Sequence, residues 1–273
     1  MKGTELYLVD VDEAPLELMT KLAEKMNDQW GAEATIRSTT DRRQALPRAD
    51  FVIVSVQVGP REEVWEKDWR IPLEHGVRQP YAENSGPGGF AHTARNLPLI
   101  VDIARDMEEL CPNALYMNYV NPMVRLTLGI ERYTKIKSVG MCHQLLWGYA
   151  MVMALLGDEY GIDVPPDVKI DTNHENRHYR EPLMRAGLEH LDIKAAGINH
   201  FSWIYEVRDK ATGEDLYPLI RERWLGSKEP GGAGKRTAPP AEGRADFEPL
   251  SREMFEIFGL MPTPSDSHLC EFL

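Results

Sequence analysis

The sequence predicts an α/β fold in which a doubly wound parallel sheet is followed by a smaller α+β region. Short apolar runs typical of buried strands alternate with segments of helical periodicity in the first half of the chain. Small or hydrogen-bonding residues directly follow several of these runs, as expected at the ligand-binding edge of a parallel sheet. The alternation stops after about Asp171, so we expect one domain at residues 1–145 and a second at 146–273.

The elements of the first half are predicted from apolar runs and from turn residues. The predicted strands are Glu5–Asp10, Thr35–Thr39, Asp50–Val56, Ala114–Asn118 and Ile136–Gly140. A first helix is predicted to begin at Val11–Glu13, whose acidic residues suit a helix start. Further helices are predicted at Phe90–Leu110, Met123–Tyr133, and Cys142 to about Leu156. Glycine and proline predict a loop at Glu83–Gly89.

The second half has a different pattern. Leu191–Val207 predicts two strands joined at Gly197–His200, and Asp215–Trp224 and Glu248–Phe258 predict helices. Ser227–Ala245 is poor in apolar residues and rich in glycine, proline and alanine, so we expect a mobile surface loop there.

Charge and cysteine content limit the possible functions. The 273 residues carry 31 basic and 43 acidic side chains, a net charge of −12, which argues against binding to nucleic acids or anionic membranes. No apolar stretch reaches the roughly 20 residues of a membrane span. Three cysteines are too few for a disulfide framework and favour a reducing compartment. We expect a cytoplasmic globular protein, with an enzyme as the leading hypothesis.

Polar residues at four successive strand ends predict a ligand site. They are Asp10, Gln57 with Gly59, Asn118 with Asn121, and Cys142 with His143. Asp10 is placed to accept hydrogen bonds from the ribose of NAD, with a helix cap as the alternative. The glycine fingerprint that normally precedes such an aspartate does not occur in the nine residues before it.

Two dipeptides and one hexapeptide carry the remaining chemistry. Cys142-His143 and Asn199-His200 offer a thiolate and an imidazole for a divalent metal, or a buried cysteine with hydrogen-bonded histidines. His174 and His178 form a second pair at helical spacing, which we interpret as solvated. Asp266–Glu271 contains three ionisable groups that suit acid/base work or metal support, or else form an exposed turn with a helix cap.

Taken together, these strings resemble glycoside hydrolase family 4. Seven motifs occur in family order across nearly the whole chain: Leu8–Asp12, Gln57–Gly59, Gly86–Gly89, Asn118–Pro122, Gly140–His143, Gly197–Trp203 and Asp266–Phe272. The resemblance implies a Rossmann-like fold of the lactate/malate dehydrogenase type. It also implies hydrolysis that uses NAD and a divalent metal, usually Mn²⁺, in place of two carboxylates.

The family's chemistry implies a role for each candidate residue. NAD transiently oxidises the sugar at carbon 3, a base removes the proton at carbon 2, the leaving group is eliminated, and water addition and reduction follow. Metal ligands would be Cys142 and His200, and Asn121 and Asn199 would bind sugar hydroxyls. His143 would assist the leaving group and Asp266 would be the base, although many relatives use a tyrosine. NAD contacts would come from Asp10, Gln57, Gly59 and Asn118.

The resemblance also predicts what the chain lacks and what it acts on. The family's first strand, its glycine-rich loop and its C-terminal helical region are absent, so a fragment of a longer homodimeric or homotetrameric protein is expected. His143 after the metal cysteine favours an α-linked, unphosphorylated sugar or uronide, for which Arg95 and Arg125 are candidate cationic partners. The alternatives are an NAD-dependent 2-hydroxy-acid dehydrogenase and a non-catalytic remnant.

Overall fold

The computed structural model describes residues 2–165, 167–168, 170, 177–226, 240 and 246–273. The chain divides into two compact units. The first unit contains Met1–Val58, Thr93–Val120 and Arg125–Met141. The second unit contains Gly59–His92, Asn121–Val124 and Cys142–Leu273. The division into domains at 1–145 and 146–273 stays a prediction.

Eight strands are present in the described residues. They are β1 (Glu5–Val9), β2 (Thr35–Thr39), β3 (Phe51–Val54), β4 (Leu115–Asn118), β5 (Lys137–Gly140), β6 (Leu191–Ile198), β7 (Phe201–Asp209) and β8 (Met261–Pro262). The first five lie in the first unit and pair only in parallel, whereas β6, β7 and β8 pair antiparallel. This confirms the predicted α/β class and the change in pattern in the second half.

Ten α-helices accompany the strands in the described residues. They are α1 (Glu13–Trp30), α2 (Arg42–Ala45), α3 (Arg61–Glu74), α4 (Gly86–Leu110), α5 (Met123–Tyr133), α6 (Gln144–Leu156), α7 (Arg177–His190), α8 (Tyr217–Leu225), α9 (Pro249–Phe258) and α10 (Asp266–Leu269). Among these helices none is both long and apolar enough to cross a membrane.

The parallel sheet of the first unit is observed in two pieces. β1 pairs with β2, and β3 pairs with β4, which pairs with β5. Among the described residues, no ladder of hydrogen bonds joins β1 to β3. On β3, Phe51 is 67% exposed and Ile53 65% exposed, although both are apolar. The parallel strands of the first unit therefore form two ladders, one of two strands and one of three.

Helix boundaries in the first unit follow from local chemistry. Asp12 caps α1 by accepting a hydrogen bond from the backbone N–H of Ala14, and the helix ends at Gly31 in the left-handed conformation. The helix predicted to begin at Phe90 begins at Gly86 instead. Pro87 fits the first turn of a helix, where its missing N–H has no partner to lose.

The second unit has its core around α6. This helix is buried almost all round, and its residues Ala150 to Leu156 pack among side chains of β6, β7, α8 and α9. Helices α3 and α7 were not predicted, because each contains a proline and many charged residues instead of a clear apolar stripe. The predicted loop at Ser227–Ala245, apart from Pro240, and the candidate ligand His174 lie outside the described residues.

Candidate functional site

A buried turn just before α4 forms one wall of the site. Glu83 and Asn84 are both nearly inaccessible, and their backbone N–H groups donate to Oε1 of Glu271 at 2.8 and 3.3 Å. Gly89 lies so close that a Cβ there would be 2.7 Å from the carbonyl carbon of Asn84. The glycine-rich string therefore permits α4 to pack directly on this turn.

The amide of Asn84 connects three buried side chains. Its Nδ2 lies 3.0 Å from Oε2 of Glu83, 3.1 Å from Oε2 of Glu271 and 3.1 Å from Nδ1 of His200. An amide nitrogen beside two carboxylate oxygens is a donor to them, so the orientation of Asn84 is fixed by those groups. The His200 ring is thereby held from its Nδ1 side.

The backbone of His200 is positioned by α6. His200 lies in the turn between β6 and β7 with a positive φ of 35°, which is rare for a residue with a side chain. Its N–H donates to Oε1 of Gln144 at 3.1 Å, and the Gln144 amide also contacts Ser202 and Thr263. Gln144 therefore ties the turn to the first residue of α6.

Cys142 and His200 come together as predicted from the sequence. Sγ of Cys142 lies 3.5 Å from Nε2 of His200. Burial raises the pKa of the Cys142 thiol, although the backbone N–H of Gln144 opposes that shift. Burial, with the nearby His268 and His143, lowers the pKa of His200 to about 3. His200 is therefore a neutral imidazole at pH 7, the form that binds metals.

Two further residues extend the predicted metal pair. Glu83, His200 and His268 are all buried, and their ligand atoms lie within 4.8 Å of one another. Burial raises the pKa of Glu83, a hydrogen bond from Asn121 opposes the shift, and the charge of Glu271 adds to it. Carboxylate and imidazole groups suit Mn²⁺ and many other divalent cations. The donor set therefore fits the metal that the sequence predicts.

An aromatic side chain joins the two histidines of this region. Trp147 on α6 has its ring centroid 4.8 Å from that of His143 and 5.0 Å from that of His268. His143 is the N-terminal cap residue of α6 but makes no side-chain capping bond. Burial, and then the charge of Arg180, lower the pKa of His143.

The two predicted sugar-binding asparagines lie against the metal-capable groups. Nδ2 of Asn121 donates to Oε1 of Glu83 at 2.6 Å. The Asn199 side chain favours the thiolate form of Cys142. Its buried Nδ2 makes no hydrogen bond of normal geometry within the described residues. Apart from its interaction with Cys142, this donor is unsatisfied, and an ordered water or a polar ligand would satisfy it.

The structure gives Asp266 a structural position. Its two carboxylate oxygens accept hydrogen bonds from the backbone N–H groups of Leu250 and Ser251, at 2.8 and 2.7 Å, in the first turn of α9. Its own N–H donates to Oε2 of Glu248 at 2.7 Å. The carboxylate thus satisfies a helix N-terminus, and the base role of Asp266 stays a prediction.

The predicted NAD contacts differ in how available their side chains are. Asp10 follows β1 and is exposed, with Oδ1 accepting from the N–H of Asp12 at 2.9 Å. Gln57 is exposed, and Gly59 has a φ of 78° that favours glycine. Asn118 is fully buried, and its amide bonds Val120 and Thr127 within its own turn. Asp10 and the 57–59 turn therefore fit a cofactor better than Asn118 does.

Sequence reasoning missed four members of the site. Glu83 and Asn84 were given no role and were included only in the predicted loop Glu83–Gly89. His268 and Glu271 were given no individual role and entered only through the Asp266–Glu271 run, which was assigned to acid/base work or metal support as a whole. Spacing cannot show that these strings, some 188 residues apart, share hydrogen bonds.

Comparison with known protein families gives two matches along the chain. The sequence model described as "Family 4 glycosyl hydrolase" matches residues 1–159. The model of the "Family 4 glycosyl hydrolase C-terminal domain" matches residues 195–272. Together they cover both compact units.

Curated relatives with similar sequences are glycosidases. An α-glucosidase of Erwinia rhapontici is 30% identical over 99% of this chain and 59% of its own length. An α-galactosidase of Bacillus subtilis is 32% identical over 100% of the chain and 53% of its own length. An α-galacturonidase of Thermoanaerobacter italicus is 28% identical over 100% of this chain and 54% of its own length. The chain thus spans a little over half the length of these relatives.

Solved structures agree on the fold. A candidate glucosidase of Bacillus subtilis, lplD, superposes with a TM-score of 0.68 at 26% identity, covering 100% of this chain and 57% of that one. A 6-phospho-α-glucosidase from gut microorganisms, solved in complex with NAD and Mn²⁺, superposes with a TM-score of 0.65 at 21% identity, covering 97% of this chain and 52% of that one. At that identity the second likeness shows the fold alone.

Proposed function

The chain belongs to family 4 of the glycosyl hydrolases, and from that premise we propose that its protein hydrolyses an O-glycosidic bond with NAD and a divalent metal, Mn²⁺ first. The observation that carries the proposal is the buried cluster in which Cys142 touches His200 and Glu83 and His268 lie beside it. Most glycosidases hydrolyse with two carboxylates, whereas this cluster offers a thiol, two imidazoles and one carboxylate. These groups are suitable ligands for a divalent metal.

We assign the metal to the protein groups that already face one another. Cys142 and His200 are the primary ligands, and Glu83 and His268 are near enough to complete the site. When bound, NAD supplies reversible oxidation at carbon 3 of the sugar, and the metal supplies stabilisation of the negative charge that develops on the sugar oxygens. Asp10 and the turn at Gln57–Gly59 are the proposed cofactor contacts.

The remaining residues bind and orient the substrate. Asn121 and Asn199 present amides beside the metal-capable groups, where they are placed to bind sugar hydroxyls. His143 is neutral at pH 7 because its pKa is lowered, so its single ring N–H would assist the departing oxygen by donating a hydrogen bond to it. Gln144 and Asn84 fix the His200 backbone and ring.

The proposed role of Asp266 is to hold α9. Backbone donors of α9 bind both of its carboxylate oxygens and hold the carboxylate against that helix, whereas a base that removes a proton from carbon 2 must be free to reach that carbon. The substrate we propose is an α-linked, unphosphorylated sugar or uronide. Support comes from His143 after the metal cysteine and from the α-glycosidases among the relatives.

A metal titration tests the central claim directly. Mn²⁺ is titrated by calorimetry into the metal-stripped chain and into the variants Cys142→Ser and His200→Gln, with Cys111→Ser as the control. Cys111 lies in the core of the first unit and belongs to no ligand cluster among the described residues. Each ligand variant should weaken Mn²⁺ binding at least about tenfold, and the control should not. Unchanged affinity in both ligand variants would refute the proposed site.

Activity is tested separately. Nitrophenyl α-glycosides and α-uronides are incubated with NAD and Mn²⁺, with and without a chelator. The expected result is turnover that requires both additions and that stops when the chelator removes the metal. Full turnover in the presence of excess chelator would show that the hydrolysis uses another mechanism.

A further inference from the structure

Arg180 is a cationic side chain of the second unit beside the proposed catalytic groups; Arg61, which stacks on Trp65 and whose charge acts on Glu83, is another. The guanidinium carbon of Arg180, on α7, lies 4.8 Å from the centroid of the Trp147 ring. Arg180 is half-buried, so its charge is partly withdrawn from water. The candidates Arg95 and Arg125 predicted from the sequence both belong to the first unit.

Trp147 connects Arg180 to the site. The same indole ring contacts His143 and His268, and His268 is one of the three metal-capable groups. Arg180 is therefore separated from the proposed leaving-group residue and from the metal cluster by a single side chain.

The negative charge of the chain and of the buried cluster affects which ligands can bind beside Arg180. The chain has a net charge of −12, and the buried carboxyl groups of Glu83 and Glu271 lie in the cluster itself. An anionic ligand entering such a site needs cations that offset its charge, and both the proposed divalent metal and a fixed side chain can supply them. Arginine is the side chain best suited to this, because its planar donors match a carboxylate or phosphate in two parallel hydrogen bonds.

We propose that Arg180 binds an anionic substituent of the glycoside, so that the site selects acidic sugars over neutral ones. This inference rests on the proposed function and specifies its substrate class. The carboxylate of a uronide and the phosphate of a phosphorylated sugar share the required chemistry, and the carboxylate is the source that the proposed substrate supplies.

A purely structural role for Arg180 predicts different behaviour. Stacking of its guanidinium on Trp147 also attaches α7 to α6, and loss of that contact would weaken binding of every sugar equally. The second unit offers a matched control. Arg221 stacks on Phe255 at 4.7 Å in the same manner, and it touches none of the site residues in the contacts given by the described part of the chain.

The test measures binding without requiring turnover. Calorimetry compares D-galacturonate, glucose 6-phosphate and D-galactose on the wild-type chain and on Arg180→Met, Arg180→Lys and Arg221→Met. We expect Arg180→Met to weaken binding of at least one acidic sugar by about tenfold or more, and to leave galactose unchanged. Arg180→Lys should recover part of the loss, and Arg221→Met should change nothing.

Each outcome has a defined meaning. A loss confined to galacturonate assigns a carboxylate, and a loss confined to glucose 6-phosphate assigns a phosphate; both support the inference. Equal loss for galactose, no loss at all, or no binding of either acidic sugar to the wild-type chain overturns it. If Mn²⁺ binding depends on Cys142 while Arg180 proves neutral, only this inference fails. If acidic sugars bind through Arg180 but no metal-dependent hydrolysis occurs, the proposed function fails instead.

Discussion

Burial of His200 predicts that the second unit loses stability as the pH falls, in the absence of metal. His200 is 3% exposed, and its pKa is lowered from 6.5 to about 3. Below pH 6.5 the imidazole in the unfolded chain binds a proton that the folded chain does not accept. Protons therefore favour the unfolded state, and the free energy of unfolding decreases as the pH falls from 6.5 towards 3.

The size of the effect follows from the shift. Each pKa unit corresponds to about 1.4 kcal/mol, and pH 5 lies about 1.5 units below the unfolded value. His200 should therefore cost about 2 kcal/mol of stability between pH 7 and pH 5. That is a large fraction of the 5–15 kcal/mol that stabilises a typical domain.

Urea denaturation with a chelator at pH 7 and pH 5 measures this, with tryptophan fluorescence as the signal. Five of the six tryptophans lie in the second unit, at positions 65, 69, 147, 203 and 224, so the signal reports mainly on that unit. His200→Gln removes the titrating group, and its loss of stability between the two pH values should be about 2 kcal/mol smaller. Equal losses in wild type and variant would refute the reasoning, whatever the absolute stability of the variant.

Three further substitutions test the packing and the supports of the site. Gly89→Ala places a methyl group against the backbone of Asn84 and should cost about 1–3 kcal/mol by urea denaturation, whereas Gly148→Ala, where a Cβ meets only ordinary contacts, should be neutral or stabilising. Glu271→Gln removes the charged acceptor of three N–H groups and should cost about 2–3 kcal/mol and weaken Mn²⁺ binding about tenfold or more by calorimetry. Asp266→Asn keeps only one of the two acceptor oxygens and should cost about 1–2 kcal/mol at the α9 cap while keeping glycosidase turnover per folded molecule; turnover lost beyond the unfolded fraction would restore its role as the base.

The fold was predictable where local patterns are strong. Thr35–Thr39 and Met123–Tyr133 are observed with the predicted ends, because a short β-branched run and a regular apolar stripe each favour one structure. Helix α3 was missed because its buried positions include Asp68 and Pro72, which no apolar periodicity reveals. The division of the sheet into two pieces depends on whether β1 and β3 approach each other, and nothing within either strand encodes that distance.

The site was predictable only in part for a similar reason. Cys142 and His200 could be paired because a resemblance assigned both to one metal, and the structure places them 3.5 Å apart. Glu271 reaches the 83–84 turn from the far end of the chain, so only tertiary structure reveals the contact. A helix cap was one of the two interpretations of Asp266–Glu271, but the sequence did not show that Asp266 caps α9, because Leu250 and Ser251 offer only backbone groups.

Burial shifts the pKa values of the groups around His200 in a way that relates to metal binding. Burial raises the pKa values of Cys142 and Glu83 and lowers that of His200, so each group is shifted towards its uncharged form. A low-dielectric pocket tolerates such neutral groups, but it would not tolerate three isolated charges. A divalent cation reverses the balance, because it favours the thiolate and the carboxylate and requires the imidazole already to be neutral. His200 is therefore prepared to bind at neutral pH, while Cys142 has to release a proton when the metal enters.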